Sequence, residues 1–385
     1  MRTTLVECAD GTAQVIGPAE TVRLAVIDVS GSADIKGEVQ RVMDEEDRRR
    51  VNPMCESPLR VTLLRCGPAH YRLLLAVHHI AYDSSLDEVF FPEWGLLYDA
   101  FRRGAPSPLG ELPLQYADFA VWQRRLLQDA ELLSEHVGYW KKQLAGAPLP
   151  LPLPWRRPDA GPAAAPDVKE SVQRVVLLLP DRTGLLKALA RREGTTPFTT
   201  LLAAFQALLS RATGQRDLTV GSYFAYRNQP EFEGIVGFRT NLVPLRTDLS
   251  GDPTFLELLG RVRAVHLAAS AHQDVPFSEL TRALHTAGCS MPPIQALFSY
   301  VRTDHTPLRL PGVRVGRRQI LRTAMPSGFS LTIVERTNHR LVTGAVFDAG
   351  LYNPACVRKM LHQFKALVEK ILADPARRLS ELLPI

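Results

Sequence analysis

The stretch AVHHIAYDSSLDE, residues 76–88, concentrates side chains that can do chemistry: His78, His79 and, four residues after His79, Asp83. A histidine at a strand end can act as general base near neutral pH, taking a proton from an amine or hydroxyl as that nucleophile attacks an activated acyl group. An aspartate beside a helix start is held as a carboxylate by exposed amides and a basic partner, and it can orient the loop without touching substrate. A metal site fits poorly. Neighbouring side chains on a strand point to opposite faces, and no HExxH, CxxC or clustered third ligand accompanies the pair. An isolated histidine pair is otherwise a buried, hydrogen-bonded structural feature, so HHxxxD alone leaves catalysis as one of two readings.

The elements that must position these residues read as follows. Strands LRVTLLRC and YRLLLAVHH are joined by a Gly67-Pro68 turn, and the second ends at the histidines. Ser85 and Glu88 have capping-box spacing, and Pro92 predicts a kink or a late start for the helix that follows. One amphipathic helix is expected through QYADFAVWQRRLLQ and SEHVGYWKKQL, where Tyr116, Phe119 and Trp122 form a core stripe. The prolines of APLPLPLPWRRPDAGPAAAPD favour an extended linker, which divides the chain into 1–155 and 156–385. The second part reads as strand, two helices with Pro197 in the first turn of the second, strands DLTVGSYF and GFRTNLVPLRTDL, and a closing helix from NPACV to ADP. Strands alternate with helices in both parts, so each is expected to be an α/β sandwich.

The whole chain sets wider bounds. Its 385 residues suggest two domains or lobes, and 45% apolar with 22% charged residues is ordinary soluble composition. No apolar run approaches the ~20 residues of a bilayer span, and MRTTLVECADG lacks a signal-peptide core. Five scattered cysteines argue against a disulfide framework and for a reducing cytoplasm. A net charge of +6 is spread along the chain, so no nucleic-acid tract is expected.

Five blocks in order carry a resemblance. HHIAYDS resembles the HHxxxDG signature of condensation domains of nonribosomal peptide synthetases, relatives of chloramphenicol acetyltransferase. LQYADFAVWQ resembles their YxDFAxW stretch, and YWKKQLAGAPLPLPLP their exit from the first lobe. RNQPEFEGIVGFRTNLVPLR is similar to their run ending in NTLxLR, with Asn241 and Arg246 matching. AHQDVPFSEL matches their HQDxPFE block from His272 to Phe277. The resemblance covers nearly the whole chain. It implies two chloramphenicol acetyltransferase-like lobes forming a V with a tunnel between them, the first carrying HHxxxD.

The resemblance further implies that His79 is the active-site histidine, that His78 and Asp83 have supporting roles, and that Arg246 pairs with Asp83. Asn241 is expected to support the site, and His272 to anchor a loop. The implied activity joins a carrier-bound acyl thioester to an amine, less often a hydroxyl, with no cofactor beyond the phosphopantetheine arm of a separate acyl or peptidyl carrier. A monomer without membrane partners is expected. The alternatives are an inactive carrier-binding or recruitment module of the same fold, or a coenzyme A-dependent small-molecule acyltransferase. Departures sit around the substrate channel. Ser84 replaces the motif glycine, and Ser330 stands where aspartate is common. Gln295 fits the family, but its usual RDxSRNP lead-in is missing. Arg239 replaces an aromatic residue, and its charge points to a more polar pocket or to recognition of a substrate acid. A free-standing domain is expected, and the family's opening segment has no counterpart before MRTT: either the start codon is wrongly assigned, or the first lobe is shortened, with an exposed sheet edge or partner surface.

Overall fold

The structure is a computed structural model that describes residues 2–9, 11–18, 23–83, 86–148, 150–158, 172–178, 182–226, 230–289, 291–303, 308–316, 328–336 and 340–383. The chain divides into two compact units, one of residues 1–121, 229–239 and 306–323, the other of 122–228, 240–305 and 324–385.

In the first unit, β1 (Thr3–Cys8) and β2 (Gly11–Ile16) form an antiparallel hairpin. Gly11 takes φ 109° where they join, a conformation that favours glycine. A second sheet runs β3 (Leu24–Asp28), β4 (Leu59–Gly67), β5 (His70–Val77), with β3 parallel and β5 antiparallel to β4. One face is covered by α1 (Ile35–Arg48), whose Val39, Val42 and Met43 pack on Leu64, Cys66 and Ile27. The opposite face of β3 presents exposed Leu24 and Val26, and β3 is an edge strand among the described residues. Strand β5 ends at Val77, so the two histidines start the loop rather than finish the strand.

The next helix starts late, as its proline requires. Residues Leu86–Phe90 form a wide π turn, and α2 (Phe91–Arg102) begins with Pro92 in its first turn, where a missing N–H costs nothing. The single helix expected after it is two, α3 (Tyr116–Gln128) and α4 (Ala130–Leu144). Asp129 separates them: its carboxylate accepts the amides of Glu131 and Leu132 at 3.1 and 3.0 Å, starting a new helix instead of continuing the old one.

The unit division falls inside α3, between Val121 and Trp122, and not at the proline-rich stretch. Trp140, Leu144, Leu151, Leu153 and Trp155 all join the large core of the second unit. Prolines fix an extended path there, yet the apolar residues between them have a surface to bury, and burial decides the packing.

The second unit holds a six-stranded mixed sheet. Its members are β6 (Val172–Leu178), β7 (Asp217–Ala225), β8 (Thr240–Asp248), β9 (Ala296–Thr303), β10 (Phe329–Arg336) and β11 (Leu341–Asp348), in spatial order β6-β11-β10-β9-β7-β8. Among the described residues of this sheet only the β9–β10 and β7–β9 pairs are parallel. Against it pack α5 (Thr183–Arg192), α6 (Pro197–Thr213), α7 (Phe255–Ala271), α8 (Phe277–Thr286) and α9 (Pro354–Ala373). Helix α6 is buried on every side from Thr199 to Ser210, as an all-round apolar helix must be. Thr196 caps its first turn and Gly214, left-handed at φ 75°, closes its last.

Candidate active site

His78 and His79 diverge because the chain turns immediately after β5. His78 is tied down first: its amide donates to the Pro58 carbonyl at 2.8 Å, and its Nδ1 accepts the Ile80 amide at 3.2 Å. It therefore caps a single 3-10 turn, His79–Ala81, and burial together with the nearby His79 holds its imidazole below the ordinary pKa, unprotonated at Nδ1. That turn folds the Tyr82 carbonyl back to 3.0 Å from His79 Nδ1. A carbonyl only accepts, so His79 carries its proton on Nδ1 and presents a lone pair at Nε2. The ring is clamped on two further sides. Tyr82 stacks on it at 4.7 Å and 15°, and Phe238 meets it edge-on at 5.2 Å and 82°.

Asp83 is buried, and its Oδ2 accepts the backbone amide of Arg239 at 2.9 Å. It thus ties the histidine turn to the segment that carries Phe238. Tyr116 reinforces the same segment, donating its hydroxyl to the Phe238 carbonyl at 2.8 Å. Its phenol is pushed up to about 12, by burial first and by the Asp83 charge second, with Arg239 opposing. Gly237 is needed there, since a Cβ would collide with the Tyr116 ring. Tyr116 is therefore more than core filling: it braces the backbone beside His79.

Arg246 does something other than the expected pairing with Asp83. In the second unit its Nη2 meets Asp217 at 2.6 Å, its Nε bonds the same carboxylate, and its two Nη atoms reach the carbonyls of Gln143, Ala145 and Gly146. A guanidinium has five donors, and this set engages the whole fork, while Asp83 is satisfied by an amide in its own unit. Arg246 pins the C-terminal end of α4 to the edge of the sheet. Asn241 is likewise a clasp. Its Nδ2 donates to the carbonyls of Gln273 and Val275 at 2.7 and 2.8 Å, and its Oδ1 accepts the Phe277 amide at 2.9 Å, fixing the loop before α8.

His272 lies in that loop region, stacked on Tyr139 at 4.1 Å, its carbonyl held by Trp140 Nε1 at 2.9 Å and its Nδ1 3.1 Å from His136 Nδ1. Two facing ring nitrogens that close share one proton at most, and burial followed by the His136 charge lowers the His272 pKa, with Glu135 opposing. Gln295 is half-buried with its Oε1 lacking a hydrogen-bond partner, and Ser330 is buried in β10. Ser84 lies outside the described residues. Sequence reasoning does not reach the Tyr82 carbonyl, Phe238 or Asp217. Tyr82 and Phe238 leave a trace, each lying inside a matching block, whereas Asp217 lies in none. Among the described residues no three His, Cys, Asp or Glu side chains form a metal cluster, and no helix is long and apolar enough to cross a membrane.

The fold and this motif define a class, and comparison with known proteins identifies it. The Condensation domain family model matches residues 1–384, and the chain belongs to that family. It is 35% identical over 390 residues to a linear gramicidin synthase polypeptide of Brevibacillus parabrevis, covering 99% of this chain and 5% of the synthase. The chain therefore spans only a small part of that relative. Among solved structures it is similar to the X-domain from teicoplanin biosynthesis (TM-score 0.85, 27% identity, 98% of this chain and 85% of that one). The X-domain is also known in complex with OxyB. The first condensation domain of the CDA synthetase shares the fold (TM-score 0.79, 22% identity, 99% and 86% covered). The α/β architecture expected from the sequence is thus that of condensation domains.

Proposed function

We propose that this chain is a condensation-type acyltransferase, with His79 as the catalytic residue. The donor is an acyl thioester on the phosphopantetheine arm of a carrier protein, and the acceptor is an amine. The observation that carries this reading is the 3.0 Å contact of His79 Nδ1 with the Tyr82 carbonyl, which assigns the proton of the neutral ring to Nδ1 and leaves Nε2 as the acceptor for a proton. The amine nitrogen attacks the thioester carbonyl and gives its proton to Nε2. The C–N bond forms, the C–S bond breaks, and the departing thiolate leaves as the thiol once the proton is returned to it. Asp83 and Tyr116 act by positioning: they hold the Phe238–Arg239 backbone, and Phe238 holds the ring. The carrier is a separate partner, recruited in trans, and the chain acts as a monomer.

The deciding experiment loads a carrier protein with an acyl group, supplies an amine acceptor, and follows product by mass spectrometry. Wild type is expected to discharge the carrier into an amide. His79→Ala is expected to lose that rate by about 10²–10⁴-fold, the range of general base catalysis. A coenzyme A thioester run in parallel is expected to be a poor donor; if it were preferred, the small-molecule acyltransferase reading would replace ours. The likeness to an X-domain that binds OxyB favours a second reading, a recruitment module. That reading requires partner capture to survive His79→Ala and wild type to show no discharge.

A further inference from the structure

Arg239 is 8% exposed, and its buried Nε has no hydrogen-bond partner. Among the described residues no carboxylate lies within ion-pairing distance of its guanidinium. Asp83 is near, but its Oδ2 is engaged by the backbone amide of Arg239, not by the side chain. An arginine cannot shed its proton to escape burial, so an Nε–H left without an acceptor here is a standing cost to the fold. Every other aspect of its setting is well determined. The preceding residue, Phe238, packs on the His79 ring and accepts the Tyr116 hydroxyl. The charge also reaches the Tyr116 phenol, where it opposes the effect of Asp83. Among the described residues this is a pre-positioned cation with one donor left open, one residue from the clamp on His79.

We propose that Arg239 binds a carboxylate carried by the acceptor, the planar partner its fork fits. This deepens the acyltransferase reading and rests on it for the identity of the acceptor. A phosphate of the carrier's arm is the weaker fit. It lies at the opposite end of that arm from the thioester, hence far from Phe238 when the thioester is at His79. Two sources of carboxylate remain. An acceptor tethered to a carrier has its α-carboxyl locked in the thioester, so its carboxylate must come from an acidic side chain. An untethered amino acid offers its own α-carboxylate.

The test is a binding titration of the full chain, followed by NMR, with L-leucinamide, L-leucine and the α-amide of L-aspartic acid. Wild type is expected to bind one carboxylate probe at least about tenfold more tightly than leucinamide. Preference for leucine means an untethered acceptor, and preference for the aspartic amide means an acidic side chain. Arg239→Gln should abolish that preference while leaving leucinamide binding unchanged, and Arg239→Lys should keep part of it, since charge remains but the fork is lost. Arg239→Met supplies an independent readout: removing a buried cation with an unsatisfied Nε–H should raise the melting temperature. No carboxylate preference in wild type, a preference that persists in Arg239→Gln, or a lower melting temperature in Arg239→Met would each overturn the proposal. None of these readouts needs turnover. Carboxylate selectivity in a chain that discharges no carrier would therefore count against the catalytic reading alone.

Discussion

His79 Nδ1 and the Tyr82 carbonyl oxygen, 3.0 Å apart, are joined across a single 3-10 turn, and that contact decides which ring nitrogen can act as a base. The alternative tautomer would set a lone pair against a lone pair. ¹⁵N NMR of the histidine rings at pH 8 should therefore show Nδ1 of His79 protonated and Nε2 bare. A spectrum with Nε2 protonated would remove the general base from the site, whatever the activity.

Asp83 joins the histidine turn to the Arg239 backbone, a link of 2.9 Å between residues far apart in sequence. Asp83→Ala leaves a buried amide without its acceptor, which costs about 2 kcal/mol in unfolding free energy. Asp83→Asn retains an acceptor oxygen and should cost about half of that, since only the charge assistance is lost. Urea denaturation of both variants measures the difference. Because Asp83 is a positioning residue, Asp83→Asn should also broaden the His79 ring signals. Sharp, unchanged signals would contradict that role.

Arg246 and Asp217 form the pair that fastens α4 to the sheet edge. The pair is partly open to solvent, so a double-mutant cycle between Arg246→Ala and Asp217→Ala should give a coupling of only about 1 kcal/mol. Arg246→Ala by itself should cost more, about 2–3 kcal/mol, because three carbonyls lose their donors as well. Arg246→Lys should recover the charge but not the fork. Equal costs for the single change and the coupling would mean that the carbonyl contacts contribute nothing.

Much of this architecture is legible in local chemistry. The hairpin ending at the histidines, the late start of α2 at Pro92, and α6 between Thr196 and Gly214 all follow from residues that act on their own backbone. The motif blocks lead to the right family for the same reason, since spacing survives in sequence. What local reading misses depends on tertiary partners. The resemblance assigns Arg246 to Asp83, and only the fold brings it to Asp217, which nothing in the sequence marks as its partner. Tyr116 reads as one more ring of a stripe until its hydroxyl meets Phe238. Asp129 is a different case: a helix cap inside an amphipathic run is visible only if the run is not assumed continuous.

Three histidines should give the protein a stability step above the usual acid range. Burial lowers the pKa of His266, of His272 (with His136 adding and Glu135 opposing) and of His78 (with His79 adding). The unfolded chain takes up protons as pH falls through the ordinary value of 6.5, while the folded protein resists until its lowered values are reached. The unfolded state thus holds more protons in that window, so unfolding free energy falls as pH drops from neutrality. The limiting slope is about 1.4 kcal/mol per pH unit for each histidine. Carboxylates such as Asp248, lowered by the Ser250 amide and hydroxyl, act separately, below their ordinary 3.8. Urea melts between pH 7 and pH 5 should show the decline, and His266→Phe should flatten it, because Phe198 and Phe224 already give that site an aromatic lining. A stability that stayed level across this range would show that the histidines protonate in the folded protein as readily as in the unfolded chain.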